Sequence, residues 1–325
     1  MSTVNTTNVK NAASPVNNIE LSTTGDTTIQ SLNTGQLAGL RNSIINGGMQ
    51  VWQRATNITP LGGGGQVLGV EITDTQLYGC DRWESRSTTN SGGQCQQMQL
   101  NGSMGKSLAL ETSGLTSYQF IQQYIEVQNC IYLSNQKCTV SWYSDKSTSR
   151  VRLSSYDNSG TRVTEVDYTV TPTSLGNDRY AVTFDMGQIN SSAGDETEKG
   201  VQIILYPDGQ NTFNGRCVFW NVQLEIGSVA TPYEVIPIQT QLANCQRYFQ
   251  TLPNGLVQLF SETPDLTRSS CAIRAVEMRV DPNMNADFTN CTLKNDLSDK
   301  QKIHFETKDN INTAYSKNVT SDAEL

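Results

Sequence analysis

From Ser43 to Glu225, apolar and polar residues alternate in short runs, each closing on a cluster of Gly, Asn, Asp or Ser. Period-two alternation puts successive side chains on opposite faces of an extended chain, so each run reads as a strand with one face on a core. The runs are Met49–Trp52, Ser107–Glu111, Tyr124–Val127, Thr139–Tyr143, Val151–Leu153, Val163–Val170, Tyr180–Phe184, Gly200–Tyr206 and Cys217–Ile226, about nine strands. Asp157-Asn158-Ser159-Gly160 and Pro207-Asp208-Gly209 carry turn chemistry between them. Many short strands without intervening helical patterns predict an all-β fold, an antiparallel jelly-roll sandwich. Aromatic residues carry the largest burial payload, so Trp52, Trp83 and Trp220 are expected to pack inward, with Trp52 and Trp220 in the core.

The flanks differ. Residues 1–41 contain no Phe, Tyr or Trp, and their few aliphatic residues lie among Ser, Thr, Asn and Gly. Such a segment cannot bury a core of its own. Asn18–Leu21 and Thr27–Ile29, on either side of Thr24-Gly25-Asp26, read as short strands around a turn. An extended arm that packs on other subunits is expected, anchored by Ile19, Leu21, Ile29 and Leu32. The sandwich is assigned to residues 42–236. A short linking helix follows over 237–250, with Leu242, Cys245 and Phe249 at helical spacing. Residues 251–325 read as a small C-terminal β domain with strands at Leu256–Phe260, Cys271–Val280 and Lys302–Glu306.

Charge narrows the function classes. The chain has 23 Lys and Arg against 31 Asp and Glu, a net charge of −8, which gives no footprint for nucleic acid or anionic lipid. No apolar run approaches the ~20 residues of a membrane-spanning helix, so a soluble product of the cytoplasm is expected, without membrane insertion. The 8 cysteines form no C-x-x-C pair and there is 1 histidine, His304, so no metal site and no cofactor is expected. Buried thiols are expected instead of disulfides. No G-x-S-x-G elbow accompanies His304, and Gly62–Gly65 lacks the Lys-Ser/Thr of a phosphate loop. The acid pairs Asp81 with Glu84, and Asp185 with Glu225, are read as strand-edge acids or ion-pair partners of residues such as Arg82, so no enzyme activity is expected. In Trp142-Tyr143 one ring must point away from the core, which makes Tyr143 the candidate glycan contact.

Four segments carry a family resemblance: Asn46–Arg54, Asp81-Arg82-Trp83, Val222–Glu234 and Cys245–Phe249. In that order they resemble the tail-fibre-like structural proteins of tailed bacteriophages. Val127–Tyr143 resembles that family's loop and strand entering the sandwich, and Val276–Pro282 its closing strand. The resemblance spans roughly residues 42–282. It implies a jelly roll related in shape to carbohydrate-binding modules, within virion appendages that are commonly homotrimeric. The expected function is a non-enzymatic virion structural protein, held to other virion proteins through its N-terminal arm and able to contact host cell-surface glycan. Alternatives are a receptor-recognition lectin, a capsid decoration protein and a glycan depolymerase.

Overall fold

The computed structural model describes residues 41–54, 76–87, 94–99, 106–112, 119–156, 161–189, 199–208, 215–251 and Met278, with the backbone of short strands elsewhere. The sandwich strands are β1 (Asn57–Ile58), β2 (Gln76–Tyr78), β3 (Glu84–Ser87), β4 (Gln94–Gln99), β5 (Lys106–Thr112), β6 (Gln119–Glu126), β7 (Lys137–Ser144), β8 (Arg150–Tyr156), β9 (Arg162–Val166), β10 (Thr173–Gly176), β11 (Arg179–Asp185), β12 (Lys199–Tyr206) and β13 (Gly215–Ile226). They form a seven-stranded sheet in the order β10-β11-β7-β13-β5-β4-β1 and a six-stranded sheet in the order β9-β8-β12-β6-β3-β2, with antiparallel neighbours throughout. β12 inserts between β6 and β8 while β13 inserts between β5 and β7. That wrapping of late strands between early ones makes the sandwich a jelly roll.

The alternating pattern explains the layers. Val140, Trp142, Phe219 and Leu224 of the larger sheet meet Ile121, Leu153, Ile203 and Leu205 of the smaller one in a single core. The fully buried tryptophans are Trp83 and Trp142. Trp142 spends its indole N–H on Ser149 Oγ at 3.0 Å. Trp52 is partly buried and packs against the core from its margin.

Trp220 corrects the expectation that it lies in the core. Ser141 pairs with Gln223 and Tyr143 with Trp220, so Asn221 and Val222 together oppose Trp142. This is a β-bulge, with Asn221 at φ 50°. An extra residue reverses the alternation, so Phe219 and Val222 both point inward and Trp220 turns out. The burial payload of an indole argues for the core, and a bulge leaves no mark on composition.

Met49–Trp52 is also not a strand. Residues 44–48 turn sharply, with Asn46 and Met49 both at φ 55°. Val163–Val170 is shorter than expected, ending in strand at Val166. Five of the cysteines, Cys80, Cys130, Cys138, Cys217 and Cys245, are buried thiols.

In the N-terminal segment Asn8–Val9, Ile19–Leu21 and Thr27–Ile29 form a three-stranded sheet, with Ile19 opposite Ile29 and Leu21 opposite Thr27. The expected hairpin is therefore present; Leu32 lies outside the described residues. The helix α1 spans Ile238–Gln246 and buries Gln241 and Cys245, not Leu242. Phe249 leaves the helix and opens a strand, Phe249–Thr251, that pairs with Thr313–Asp322. Thr313–Asp322 also pairs with Gln258–Phe260 and Asn283–Thr289, while Ser269–Ile273, Lys302–Thr307 and Cys291–Leu293 form a separate small sheet. Of the expected run Cys271–Val280, Cys271–Ile273 lies in strand, and 274–277, 279 and 280 lie outside the described residues. In the Val276–Pro282 segment only Met278 is described, buried and outside any strand.

Candidate functional site

The four family-like segments converge. Asn46, fully buried, donates from Nδ2 to the carbonyls of Val51 and Asp81 at 3.0 Å each, and accepts at Oδ1 from the N–H groups of Gln50 and Val51 at 2.9 and 3.1 Å. Its own carbonyl takes the Trp83 indole N–H at 3.0 Å, and its N–H donates to Gln241 Oε1 of α1 at 3.0 Å. Gly47 lies so close to β13 that a Cβ there would sit 2.1 Å from the Val222 carbonyl oxygen. Arg54 lies over the Phe249 ring at 3.7 Å and Arg82 over Tyr248 at 3.5 Å. Arg247 pairs with the buried Glu126 at 3.3 Å. Side chains far apart in sequence therefore join the sandwich to α1 through one buried polar junction.

The Val222–Glu234 segment does similar work on the outer side of β13. The buried Glu225 carboxylate accepts from Gln223 Nε2 at 2.8 Å, from Thr231 N at 2.9 Å and from Thr231 Oγ1 at 2.6 Å. Glu234 takes the N–H groups of Arg41 and Asn42 at 2.7 and 2.9 Å, tying the chain's entry into the sandwich to its exit. Asp81 is likewise occupied, accepting from Gln53 N at 3.0 Å and facing Arg54 at 4.0 Å. Asp185 is exposed and pairs with Lys137 at 2.6 Å.

Tyr143 does point away from the core, as the alternation requires. It stacks on the re-aimed Trp220 with centroids 5.6 Å apart and planes at 29°, and Arg179 approaches its ring at 5.6 Å. Arg179 is held by Ser141 Oγ at 3.1 Å and by the Thr231 carbonyl. Of the expected anchoring residues, Ile19, Leu21 and Ile29 lie in the small N-terminal sheet.

A richer surface lies on the opposite side of the molecule, on the outer face of the six-stranded sheet. Val201, Ile203 and Leu205 of β12 enter the core, so Gln202, Ile204 and Tyr206 face out; Phe120, Gln122 and Tyr124 of β6 and Arg152, Ser154 and Tyr156 of β8 do the same. Outward residues of a sheet are ordinarily solvated, yet Gln122, Gln202, Ile204 and Tyr206 are only 2–6% exposed. Rings stand around them: Phe120 and Tyr168 each contact Tyr206 at 5.5 Å, and Tyr124 faces Tyr156 at 6.5 Å.

Beneath the rings runs a directed hydrogen-bond chain. Arg162 Nη1 donates to Gln202 Oε1 at 3.3 Å, Gln202 Nε2 to Gln122 Oε1 at 2.7 Å, and Gln122 Nε2 to Glu84 Oε2 at 2.6 Å. With a guanidinium at one end and a carboxylate at the other, the orientation of both amides is fixed. Gln202 Nε2 also donates to the Tyr124 hydroxyl at 3.0 Å. Burial, then the neighbouring Tyr124, pushes the Tyr156 phenol up to about 12, so at neutral pH it stays a neutral hydroxyl. Partly buried rings over a floor of fixed amides give a rigid, ring-lined surface suited to apolar contact.

Sequence reading missed this face. Its signal was present, since Phe120-x-Gln122-x-Tyr124 and Gln202-x-Ile204-x-Tyr206 place aromatics and amides at alternate positions of two runs. Only the pairing of β6 with β12 brings them together.

No family model and no curated protein matches the sequence. Among solved structures, the enzymatically active domain of tailspike protein 4 from bacteriophage CBA120 aligns at 13% identity and a TM-score of 0.31 over 57% of this chain and 21% of that one. The C-terminal family 22 carbohydrate-binding module of Clostridium thermocellum Xyn10B aligns at 9% identity and a TM-score of 0.30 over 49% of this chain and 98% of the module. A Stig cyclase from Fischerella sp. TAU aligns at 12% identity and a TM-score of 0.31 over 59% of this chain and all of the cyclase. Likeness at this level bears on neither ligand nor activity.

Proposed function

We propose that the protein is a non-enzymatic virion structural protein that contacts host-surface glycan through the outer face of its six-stranded sheet. The observation that carries the binding part is the ring-walled floor of Gln122 and Gln202 on a face that a purely structural sandwich would leave solvated. Flat apolar sides of sugar rings match the partly exposed tyrosines, which the buried amides beneath hold in place. The test is a glycan array probed with the full-length protein, followed by titration of the hits. Tyr156→Ala and Tyr124→Ala are each expected to weaken binding about tenfold or more, the equivalent of ~1.4 kcal/mol, with the sandwich still folded by thermal unfolding at a somewhat lower midpoint. Binding that survives both substitutions would remove the face from consideration.

The virion part is supported by the resemblance of Asn46–Arg54, Asp81–Trp83, Val222–Glu234 and Cys245–Phe249 to tail-fibre-like proteins. In this reading the chain is a homotrimer and residues 1–41 hold it to other virion proteins. Ordering an extended segment costs on the order of 1–2 kcal/mol per residue in backbone entropy, and a few aliphatic side chains recover little of it. Deleting residues 1–40 is therefore expected to leave a folded sandwich that no longer enters particles, scored by copy number in purified virions. Normal incorporation of the truncated chain would refute the arm's role. The absence of a catalytic step is supported by the occupation of Asp81 and Glu225 in buried structural hydrogen bonds; incubation with host polysaccharide is expected to release no reducing ends.

A further inference from the structure

The same face carries an excess of cations. Among the described residues, Arg150, Arg152, Arg162 and Lys199 lie on or beside it, against two buried acids, Glu84, bonded to Gln122, and Glu126, opposite Lys199 and paired with Arg247. This local sign is opposite to that of the whole chain, whose net charge is −8. A cationic patch on an acidic protein opposes the long-range field, so it acts on what binds there and not on bulk attraction.

The geometry refines this. Arg152 and Arg162 stand on the adjacent strands β8 and β9, and both act on Tyr206, where their charges oppose the rise that burial imposes on its phenol. Arg152 uses Nη2 on Thr164 Oγ1 at 3.2 Å and its guanidinium also meets the Tyr206 hydroxyl, while among the described residues its buried Nε has no hydrogen-bond partner. Next but one along β8, Ser154 is 1% exposed and its Oγ also has no partner. Two adjoining buried polar groups without partners, one a guanidinium edge, mark where an acceptor-rich group fits. A guanidinium presents a planar fork matched to an oxyanion, which a neutral hydroxyl uses only in part.

We propose that the ligand of this face is an acidic glycan, a polysaccharide whose sugars carry carboxylates, with Arg152 and Arg162 as the groups that read the charge and the tyrosines as the groups that hold the rings. The inference rests on the glycan-binding reading of the same face. Its test titrates the full-length protein with polygalacturonate, hyaluronan, alginate and polysialic acid, each beside its carboxyl-reduced form, and with dextran sulfate as a probe of charge alone. At least one carboxylated polymer is expected to bind about tenfold or more tighter than its reduced form, with affinity falling as salt rises. Arg152→Gln and Arg162→Gln are expected to remove that difference, while Tyr156→Ala weakens both forms. Equal binding of native and reduced polymers overturns the acidic preference and leaves the glycan site standing. No binding by any polymer, and none on the neutral array, overturns both. Dextran sulfate binding as tightly as the uronates and unaffected by Tyr156→Ala also overturns the proposal, since charge alone would then suffice. Thermal unfolding of each variant separates lost binding from lost fold, and Arg162→Lys, which keeps the charge, is expected to retain part of the preference.

Discussion

Asn46→Ala is expected to destabilise the protein by roughly 4 kcal/mol or more, the largest single-residue effect outside the apolar core. The substitution removes the acceptor for the Gln50 and Val51 N–H groups and the side-chain donor to the Asp81 carbonyl, all beside a fully buried residue. Each buried group left without a partner costs about 1–3 kcal/mol. Asn46 also holds φ 55°, a left-handed conformation that costs alanine a further ~1–2 kcal/mol. Asn46→Gly escapes that part and is expected to be milder by about 1 kcal/mol, which separates backbone strain from lost hydrogen bonds. Asn46→Asp keeps the shape but turns an oxygen toward the Val51 and Asp81 carbonyls, so it is expected to be as damaging as alanine. Urea unfolding of the three variants checks the order; an alanine variant within 1 kcal/mol of the parent, on the scale of an ordinary surface change, would mean that the junction does not hold the fold together.

Alkaline pH is expected to unfold the protein steeply. Burial, reinforced by the Glu126 charge, pushes the Cys130 thiol up to about 12, and burial, with the Asp185 and Glu165 charges, does the same for Cys138. Burial also raises Cys217. An unfolded cysteine ionises near 9.0, so above that pH the unfolded chain loses these protons while the folded one retains them. Folded-state values raised in this way give stability that is intact below about pH 9 and lost as pH climbs toward 12. Each thiol contributes a slope of about 1.4 kcal/mol per pH unit, so three together give ~4 kcal/mol per unit. Against a total stability of about 5–15 kcal/mol, that unfolds the domain within a few pH units. Unfolding free energies measured at a series of pH values are expected to be flat from 6 to 8.5 and then fall, and Cys217→Ala should reduce the slope by about a third. A flat profile to pH 11 would show that the thiols are not buried as described.

The family-like motifs and the ligand face divide the sandwich between them. Asn46, Gly47, Glu225 and Arg247 are spent on joining strands, loops and helix. The proposed ligand face is built from ordinary outward positions of β6, β8, β9 and β12. Rigid strands carry it, so its rings are placed by the same pairing that forms the core.

Legible in the chain alone are the all-β class, most sandwich strands, the hairpin Ile19–Leu21 with Thr27–Ile29, the burial of Cys138 and Cys217, and the outward turn of Tyr143. All of these follow from local properties, namely period-two alternation, turn residues and the opposite facing of neighbours on a strand. The remaining features depend on pairing across long separations. A bulge between Ser141 and Tyr143 moved Trp220 from core to surface, because one inserted residue inverts every later side chain and leaves the composition untouched. Gln241, not Leu242, faces inward on α1 because its amide answers the buried N–H of Asn46, a partner 195 positions away. The proposed ligand face is the same case on a larger scale: only the pairing of β6 with β12 sets Gln122 and Gln202 2.7 Å apart and closes tyrosines around them.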